Sequence, residues 1–251
     1  MKNIKIITRA DDAGSSNSAN DAIMQTIEAG FIKNVSLMAP GAFINDAAAM
    51  FAGEKSICFG FHSTLNAEWD KVKWKPLTNV GKDSGLIDEN GYFLATPSMF
   101  YETKPNIETI IKEYDAQLDK LTTLGFAVTY VDSHMHEEGF VEGLSSAKRE
   151  WATRKGLIYH TDFGNSPADI YKEENLNNLA QFLYALPDGQ YLHVVHPALY
   201  TDEMLETGHE GYPGSEVART RALETRVMSD PELIKFAAEN GITAIRYDEA
   251  V

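Results

Sequence analysis

Short apolar segments alternate with longer amphipathic ones along this chain, and that alternation constrains the fold more than any other feature. The apolar segments begin at residue 4 and recur at 35–38, 57–62, 128–131, 157–160, 191–196 and 242–247. The stretches between most of them have helical periodicity. Because helical connections are typical of parallel sheets, the sequence predicts an α/β fold with about seven parallel strands.

Polar residues recur where the first, third, fourth and sixth of these segments end. In a closed parallel barrel, the carboxyl ends of the strands converge on one mouth, where active sites lie. An open doubly wound sheet would instead favour a crevice at a switch point. The polar strand ends therefore favour a barrel. No Gly-x-Gly-x-x-Gly follows the first segment and no Walker-type lysine loop occurs, so a nucleotide-phosphate site lacks support.

The length of 251 residues suits a single barrel domain spanning 1–251. Residues 66–105 interrupt the strand–helix rhythm and are rich in aromatic side chains, glycine and proline. We predict that they form an ordered insertion near the mouth of the barrel. Its rings could stack on sugars or pack the insertion onto the barrel, and the sequence leaves both interpretations open.

The formal net charge of −15 argues against nucleic acid or an anionic membrane surface as a partner. The single cysteine, Cys58, excludes an intramolecular disulfide and fits a reducing compartment. No apolar run approaches the roughly 18 to 20 residues of a membrane span. We therefore expect a cytoplasmic protein that acts on a small molecule. Association into a homo-oligomer is an open alternative.

Two adjacent aspartates, Asp11 and Asp12, follow the first apolar segment. Like charges side by side are costly to bury unless a cation lies between them or a proton is shared. One interpretation is a solvated turn that leads into the next helix. The other is that one carboxylate binds a metal while its neighbour handles protons.

Histidines cluster at the predicted strand ends. The five in question are His62, His134, His136, His193 and His196. In an extended segment, His134 and His136 point to the same face. One aspartate with two histidines provides three protein ligands and leaves a position open, as in catalytic zinc sites. The cluster therefore predicts one divalent metal ion. Zinc or another transition metal suits this donor set better than magnesium does.

The remaining candidates have less specific signals. Asp132 could orient a ligating imidazole or be an ordinary turn carboxylate. His196 could be a general acid or a core histidine bonded to backbone. His136, Arg9 and Arg246 are candidates to support the ligands or to contact substrate. His193, together with His160 and His209, receives no role.

Four motifs together resemble the YdjC-like carbohydrate deacetylases, a family that includes chitooligosaccharide deacetylases. They are TRADDAG at 8–14, GFHSTL at 60–65, DSHMH at 132–136 and HPA at 196–198. Their order and spacing match the family, and the resemblance covers essentially the whole chain. It implies a distorted seven-stranded parallel (β/α) barrel resembling polysaccharide deacetylases.

The resemblance also implies roles for individual residues. Asp12, His62 and His134 match the family's metal ligands, Asp11 matches its general base, and His196 is similar in position to its proposed acid. Around these residues the chain departs from the family pattern. Arg9 and Ala13 replace the usual asparagine and phenylalanine, and two glutamates follow His136. The metal triad is intact, so the departures concern the substrate.

The resulting hypothesis is a metal-dependent hydrolase that removes an N-acetyl group from an amino sugar or short oligosaccharide. Alternatives are a metal-dependent phosphoesterase or another amidohydrolase on a barrel. Few basic residues lie near the strand ends, which weighs against a phosphorylated substrate. A non-catalytic sugar-binding protein is a further alternative, against which the retention of the polar candidates speaks.

Overall fold

The computed structural model describes residues 2–163 and 166–250. Within these ranges, seven strands form one sheet, in agreement with the predicted alternation. The strands are Ile4–Ala13 (β1), Asn34–Leu37 (β2), Cys58–Ser63 (β3), Val128–Ser133 (β4), Ile158–Tyr159 (β5), Gly189–Val195 (β6) and Ile242–Ile245 (β7). All of their pairings are parallel.

The strand order is β5-β4-β3-β2-β1-β6, with β7 also paired to β1. β7 pairs with Ile4–Ile7 of β1, and β2 pairs with β1 from Arg9 to Ala13. In the described part of the chain, no ladder joins the outer strands β5 and β6. The predicted distorted parallel barrel is therefore confirmed as a half-barrel that is open between β5 and β6.

Helices cover the outer face of the sheet. Ten α-helices lie in the described ranges: Asn17–Ala29 (α1), Ile44–Phe51 (α2), Phe100–Thr103 (α3), Ile107–Thr123 (α4), Leu144–Lys155 (α5), Glu173–Asn177 (α6), Leu179–Ala185 (α7), Asp202–Leu205 (α8), Gly214–Met228 (α9) and Pro231–Asn240 (α10). The side chain of Asn106 caps α4 by accepting from the Glu108 amide. None of these helices combines the length and the apolar character needed to cross a bilayer.

Two clusters of buried apolar side chains form the core. The larger one lies between the sheet and the helices. The smaller one contains Ile7, Cys58, Tyr130, Leu192, Ile245 and Tyr247. Tyr130 of this cluster bonds through its hydroxyl to Ser36, which donates to Asp132. The smaller cluster therefore lies directly beneath the polar residues at the strand ends.

The segment 66–105 between β3 and α4 is packed onto the barrel. Its buried side chains include Trp69, Trp74, Leu86, Phe93, Leu94 and Phe100. The carboxylate of Glu113 on α4 is fully buried and accepts from the amides of Leu77 and Thr78. This contact fixes the middle of the segment to the helix layer. Most of the large rings of the segment are buried, so they pack it onto the barrel.

Candidate metal centre

Asp12, His62 and His134 meet at the carboxyl ends of β1, β3 and β4. The Oδ1 atom of Asp12 lies 3.4 Å from Nε2 of His62 and 3.3 Å from Nδ1 of His134. These two imidazole nitrogens are 3.3 Å apart. Ligand atoms about 2.1 Å from a tetrahedral metal ion lie about 3.4 Å from one another. The three atoms are therefore spaced as the ligands of one metal ion.

The surroundings of Asp12 fit metal ligation. Its Oδ1 atom is buried and has no hydrogen-bond partner among the described residues, whereas its Oδ2 atom accepts from Arg221 at 2.7 Å. Burial opposes ionisation, but Arg221 and the two imidazoles hold the pKa of Asp12 well below its usual value. Its backbone has a φ of 67°, which is uncommon for a residue other than glycine. An ionised, unpartnered and buried oxygen is costly, and a bound cation removes that cost.

Carboxylates orient both imidazoles. Nδ1 of His62 lies 2.9 Å from Asp132, and Nε2 of His134 lies 2.9 Å from Glu68. A carboxylate that accepts the outer N–H of a histidine fixes the tautomer and leaves the inner nitrogen free for a metal. Asp132 therefore has the orienting position predicted for it, and Glu68 is its counterpart for His134.

Asp11 has different partners from Asp12. Both of its oxygens accept from Arg9, at 2.7 and 2.8 Å. Arg9 also lies 3.0 Å from Asp132 and donates to the Tyr247 hydroxyl at 3.2 Å. Burial would lower the pKa of Arg9, but the charges of Asp11 and Asp132 raise it well above its usual value. Arg9 thus offsets part of the negative charge of two buried carboxylates and fixes the orientation of Asp11.

The centre as a whole attracts positive charge. Burial lowers the pKa of His62, but Asp132 and Asp11 more than offset this and raise it to about 9. Burial also lowers the pKa of His134, but Glu68 and Asp12 together outweigh it and raise this pKa well above its usual value. When both imidazoles are neutral, as metal ligands must be, the four carboxylates and two guanidinium groups that meet here leave a formal charge of −2. A divalent ion neutralises that charge.

Two cavities meet at this centre. The first has a volume of about 500 Å³ and is lined by residues that include Asp12, Glu68, Trp69, His209 and Arg221. The second has a volume of about 550 Å³ and is lined by residues that include Arg9, Asp11, His136, His160 and Tyr171. His134 and His196 line both cavities. Volumes in this range are typical of small-molecule sites.

His196 follows β6 and stands at the junction of the two cavities. Its backbone N–H donates to the Glu224 carboxylate at 2.7 Å, which fixes the chain just before Pro197. The side chain of His196 is partly exposed, so it is not the core histidine of the alternative interpretation. Its position allows contact with a ligand in either cavity.

Comparison with known proteins identifies the family of this chain. Residues 5–239 match the model of the YdjC-like protein family. The chain belongs to this family.

Two relatives of this YdjC-like chain are named carbohydrate deacetylase. The one from Thermoanaerobacter pseudethanolicus is 26% identical over 96% of this chain and 97% of its own length. The one from Geobacillus stearothermophilus is 27% identical over 97% of this chain and 96% of its own length. The expectation of YdjC-like membership is therefore confirmed over nearly the whole chain.

Solved structures share the fold. An Enterococcus faecalis protein, whose description refers to cellobiose-phosphate cleavage, has a TM-score of 0.78 at 20% identity and covers 99% of this chain and 100% of its own. A peptidoglycan N-acetylglucosamine deacetylase has a TM-score of 0.52 at 11% identity and covers 98% of this chain and 87% of its own. At these identities, the likeness establishes the half-barrel.

Two other histidines near the strand ends of the YdjC-like chain, His136 and His193, have different surroundings. His136 is exposed, has a φ of 56°, and lies with its ring centroid 6.4 Å from that of His160. It lines the second cavity and is not part of the ligand triad. His193 is fully buried, and burial lowers its pKa to about 4, so it is neutral. Its ring centroid lies 6.0 Å from that of Tyr171, which lines the second cavity.

The structure does not bring Arg246 to the centre. Its guanidinium bonds Asp248 at 2.8 Å and the Lys55 carbonyl at 3.1 Å. The physical reason is the register of β7, which pairs only with Ile4–Ile7 of β1 and ends below the site. The expectation that Arg246 supports ligands or substrate is therefore corrected.

Sequence reasoning missed Glu68 and Arg221. Glu68 belongs to the segment between β3 and α4, and Arg221 lies on α9, so neither follows a strand. Both look like ordinary charged residues in the sequence. The one available signal was the double aspartate, which predicts a cation nearby without saying where along the chain it comes from.

Proposed function

We propose that this YdjC-like protein is a metal-dependent carbohydrate deacetylase that hydrolyses the N-acetyl group of an amino sugar or short oligosaccharide. The observation that carries the proposal is the spacing of Asp12, His62 and His134 around the unpartnered Oδ1 atom of Asp12. The names of the curated relatives support the substrate class. The nitrogen and oxygen donors favour zinc or another transition metal over magnesium.

A divalent ion bound by these three residues supplies Lewis-acid chemistry, which polarises a carbonyl and makes water a better nucleophile. Asp11 accepts the proton that the attacking water loses. Its bidentate contact with Arg9 fixes the carboxylate, while each oxygen keeps a further lone pair for that proton. His196 donates a proton to the departing nitrogen, because an amine leaves readily only when it is protonated.

The charges around the cleft favour an acetamide over a phosphorylated substrate. Arg9 and Arg221 are the arginines among the described residues that line the two cavities. Each is already paired with a carboxylate, Asp11 for Arg9 and Asp12 for Arg221. A phosphate would have to compete with those carboxylates, whereas a neutral acetamide would not.

The test is to purify the protein, determine its bound metal, and measure acetate release from N-acetylglucosamine and its oligomers with and without a chelator. Phosphate release from phosphorylated sugars is measured in parallel. We expect chelator-sensitive acetate release that returns when zinc is added. Phosphate release without acetate release would favour the phosphoesterase alternative. Failure to bind any added divalent metal would leave the sugar-binding alternative ahead.

A further inference from the structure

A fully buried lysine lies behind the metal ligands, outside the cleft. Lys148 on α5 has a relative exposure of 0%. Its Nζ atom donates to the Ser63 hydroxyl at 2.7 Å, to Glu137 at 3.2 Å and to the Asp132 carbonyl at 3.3 Å. It also donates to the Ser133 hydroxyl. One ammonium group therefore contacts the ends of both β3 and β4.

The alternation of side chains along a strand explains this arrangement. His62 points toward the metal centre, so the next residue, Ser63, points to the opposite face. In the same way, Ser133 lies between Asp132 and His134 and points away from both. Lys148 thus contacts the outward side chains of the two segments whose inward side chains form the centre.

Acidic groups and an aromatic ring complete the surroundings of the ammonium. The Oε1 atom of Glu137 accepts from the Ser63 hydroxyl at 2.6 Å and from the Tyr114 hydroxyl at 2.7 Å. Glu138 accepts from Ser133 at 2.7 Å and lies 3.6 Å from the ammonium of Lys148. Ser133 also lines the second cavity, whereas Lys148 does not, so this network reaches the edge of the cleft through the serine alone.

A buried ion pair adds little net stability, and an apolar residue of similar volume often does as well. An apolar residue, however, cannot hold the ends of β3 and β4 together by directed hydrogen bonds, as Lys148 does. The backbone supports the same junction, because the His134 amide donates to the Ser63 carbonyl at 3.1 Å.

We propose that Lys148 is a positioning residue that fixes the separation of His62 and His134 and thereby sets the affinity and geometry of the metal site. The proposal rests on the proposed function only in requiring that the Asp-His-His triad binds a metal. It assigns a role in metal binding to a residue that touches neither the metal ligands' side chains nor the cleft.

The test compares purified Lys148→Met with the wild type by two measurements that do not need substrate. Zinc affinity is measured by competition with a chromophoric chelator, and the cobalt-substituted protein is examined by visible absorption. We expect about 10- to 100-fold weaker zinc binding, the loss typical when groups that orient ligands are removed, together with changed cobalt bands. Ser133→Ala removes one contact and leaves the ion pair, so it should weaken binding less.

The matched control is Leu183→Ala on α7, which removes a fully buried side chain remote from the strand ends and destabilises the fold. It should keep the wild-type zinc affinity and cobalt spectrum. Equal losses in this control, or a Lys148→Met protein with wild-type affinity and spectrum, would overturn the positioning role. If Lys148→Met does not fold, unchanged zinc affinity in Ser133→Ala overturns it instead. A wild type that binds neither zinc nor cobalt overturns the proposed function as well.

Discussion

The Asp11 side and the Asp12 side of the centre show how two adjacent aspartates acquire different surroundings. Each carboxylate is buried and faces an arginine. Arg9 donates hydrogen bonds to both oxygens of Asp11. Arg221 donates to only one oxygen of Asp12, and the other oxygen, Oδ1, lies between two imidazoles. The comparison teaches that the partners of each oxygen, rather than the residue type, distinguish the candidate metal ligand from the candidate proton acceptor.

The most damaging change should be Asp12→Asn. It replaces the anionic ligand and leaves Arg221 without its partner, so the protein should lose stoichiometric zinc. Because a metal ion contributes several kcal/mol to transition-state stabilisation, deacetylation should fall by at least about 1000-fold. Metal analysis and acetate release check this. If the Asp12→Asn protein still binds one zinc ion with wild-type affinity, Asp12 is not a metal ligand.

Asp11→Asn tests the Asp11 side of the comparison, the proposed role of this residue as proton acceptor. The variant should retain metal, because the triad is untouched, and should lose about 100- to 10,000-fold in kcat, as expected when a general base is removed. The measurements are kcat and the zinc content of the same preparation. Near wild-type turnover, or loss of zinc together with activity, would contradict the division of roles between the two aspartates.

Glu68→Gln tests whether the carboxylate that contacts His134 supports metal binding on the Asp12 side of the centre. The amide keeps the shape of the side chain but no longer offers a charged acceptor to His134. Zinc affinity should therefore fall by about 10- to 100-fold. Asp70→Asn is a matched control, because Asp70 is an exposed acidic residue of the same segment and lines the same cavity without contacting His134. Equal effects of the two substitutions would indicate a general loss of negative charge instead.

The smallest effect should come from Arg246→Ala. Arg246 bonds Asp248 and the Lys55 carbonyl below the site, and partly exposed contacts of this kind contribute within about 0.5 kcal/mol. Zinc affinity and kcat/KM should stay within about twofold of the wild type. A larger loss in kcat/KM at unchanged thermal stability would show that Arg246 does support the ligands or contact the substrate.

The strand–helix alternation and a cluster of aspartates and histidines were predictable because parallel strands bring their carboxyl ends to one edge. The choice of Asp12 over Asp11 as candidate ligand came from the resemblance to the family. Asp12, His62, His134 and Asp132 all follow or end strands, so their meeting needs only the parallel order. His136 is two residues beyond His134 but has a φ of 56°. The extended geometry that would align the two histidines has ended there, and the sequence alone does not reveal that turn.

The sequence by itself predicted a distorted parallel (β/α) barrel, and the resemblance of its motifs to YdjC-like proteins singled out Asp12, His62 and His134 as candidate metal ligands. Only the tertiary structure decided which charged side chains contact those candidate ligands. Arg221 pairs with Asp12 across 209 residues of sequence and Glu68 reaches His134 across 66, from a helix and a segment without strand periodicity. Lys148 comes to the back of β3 and β4 only because α5 packs there. Periodicity fixes which face of a strand a residue occupies, whereas the packing of separate elements fixes which charges meet.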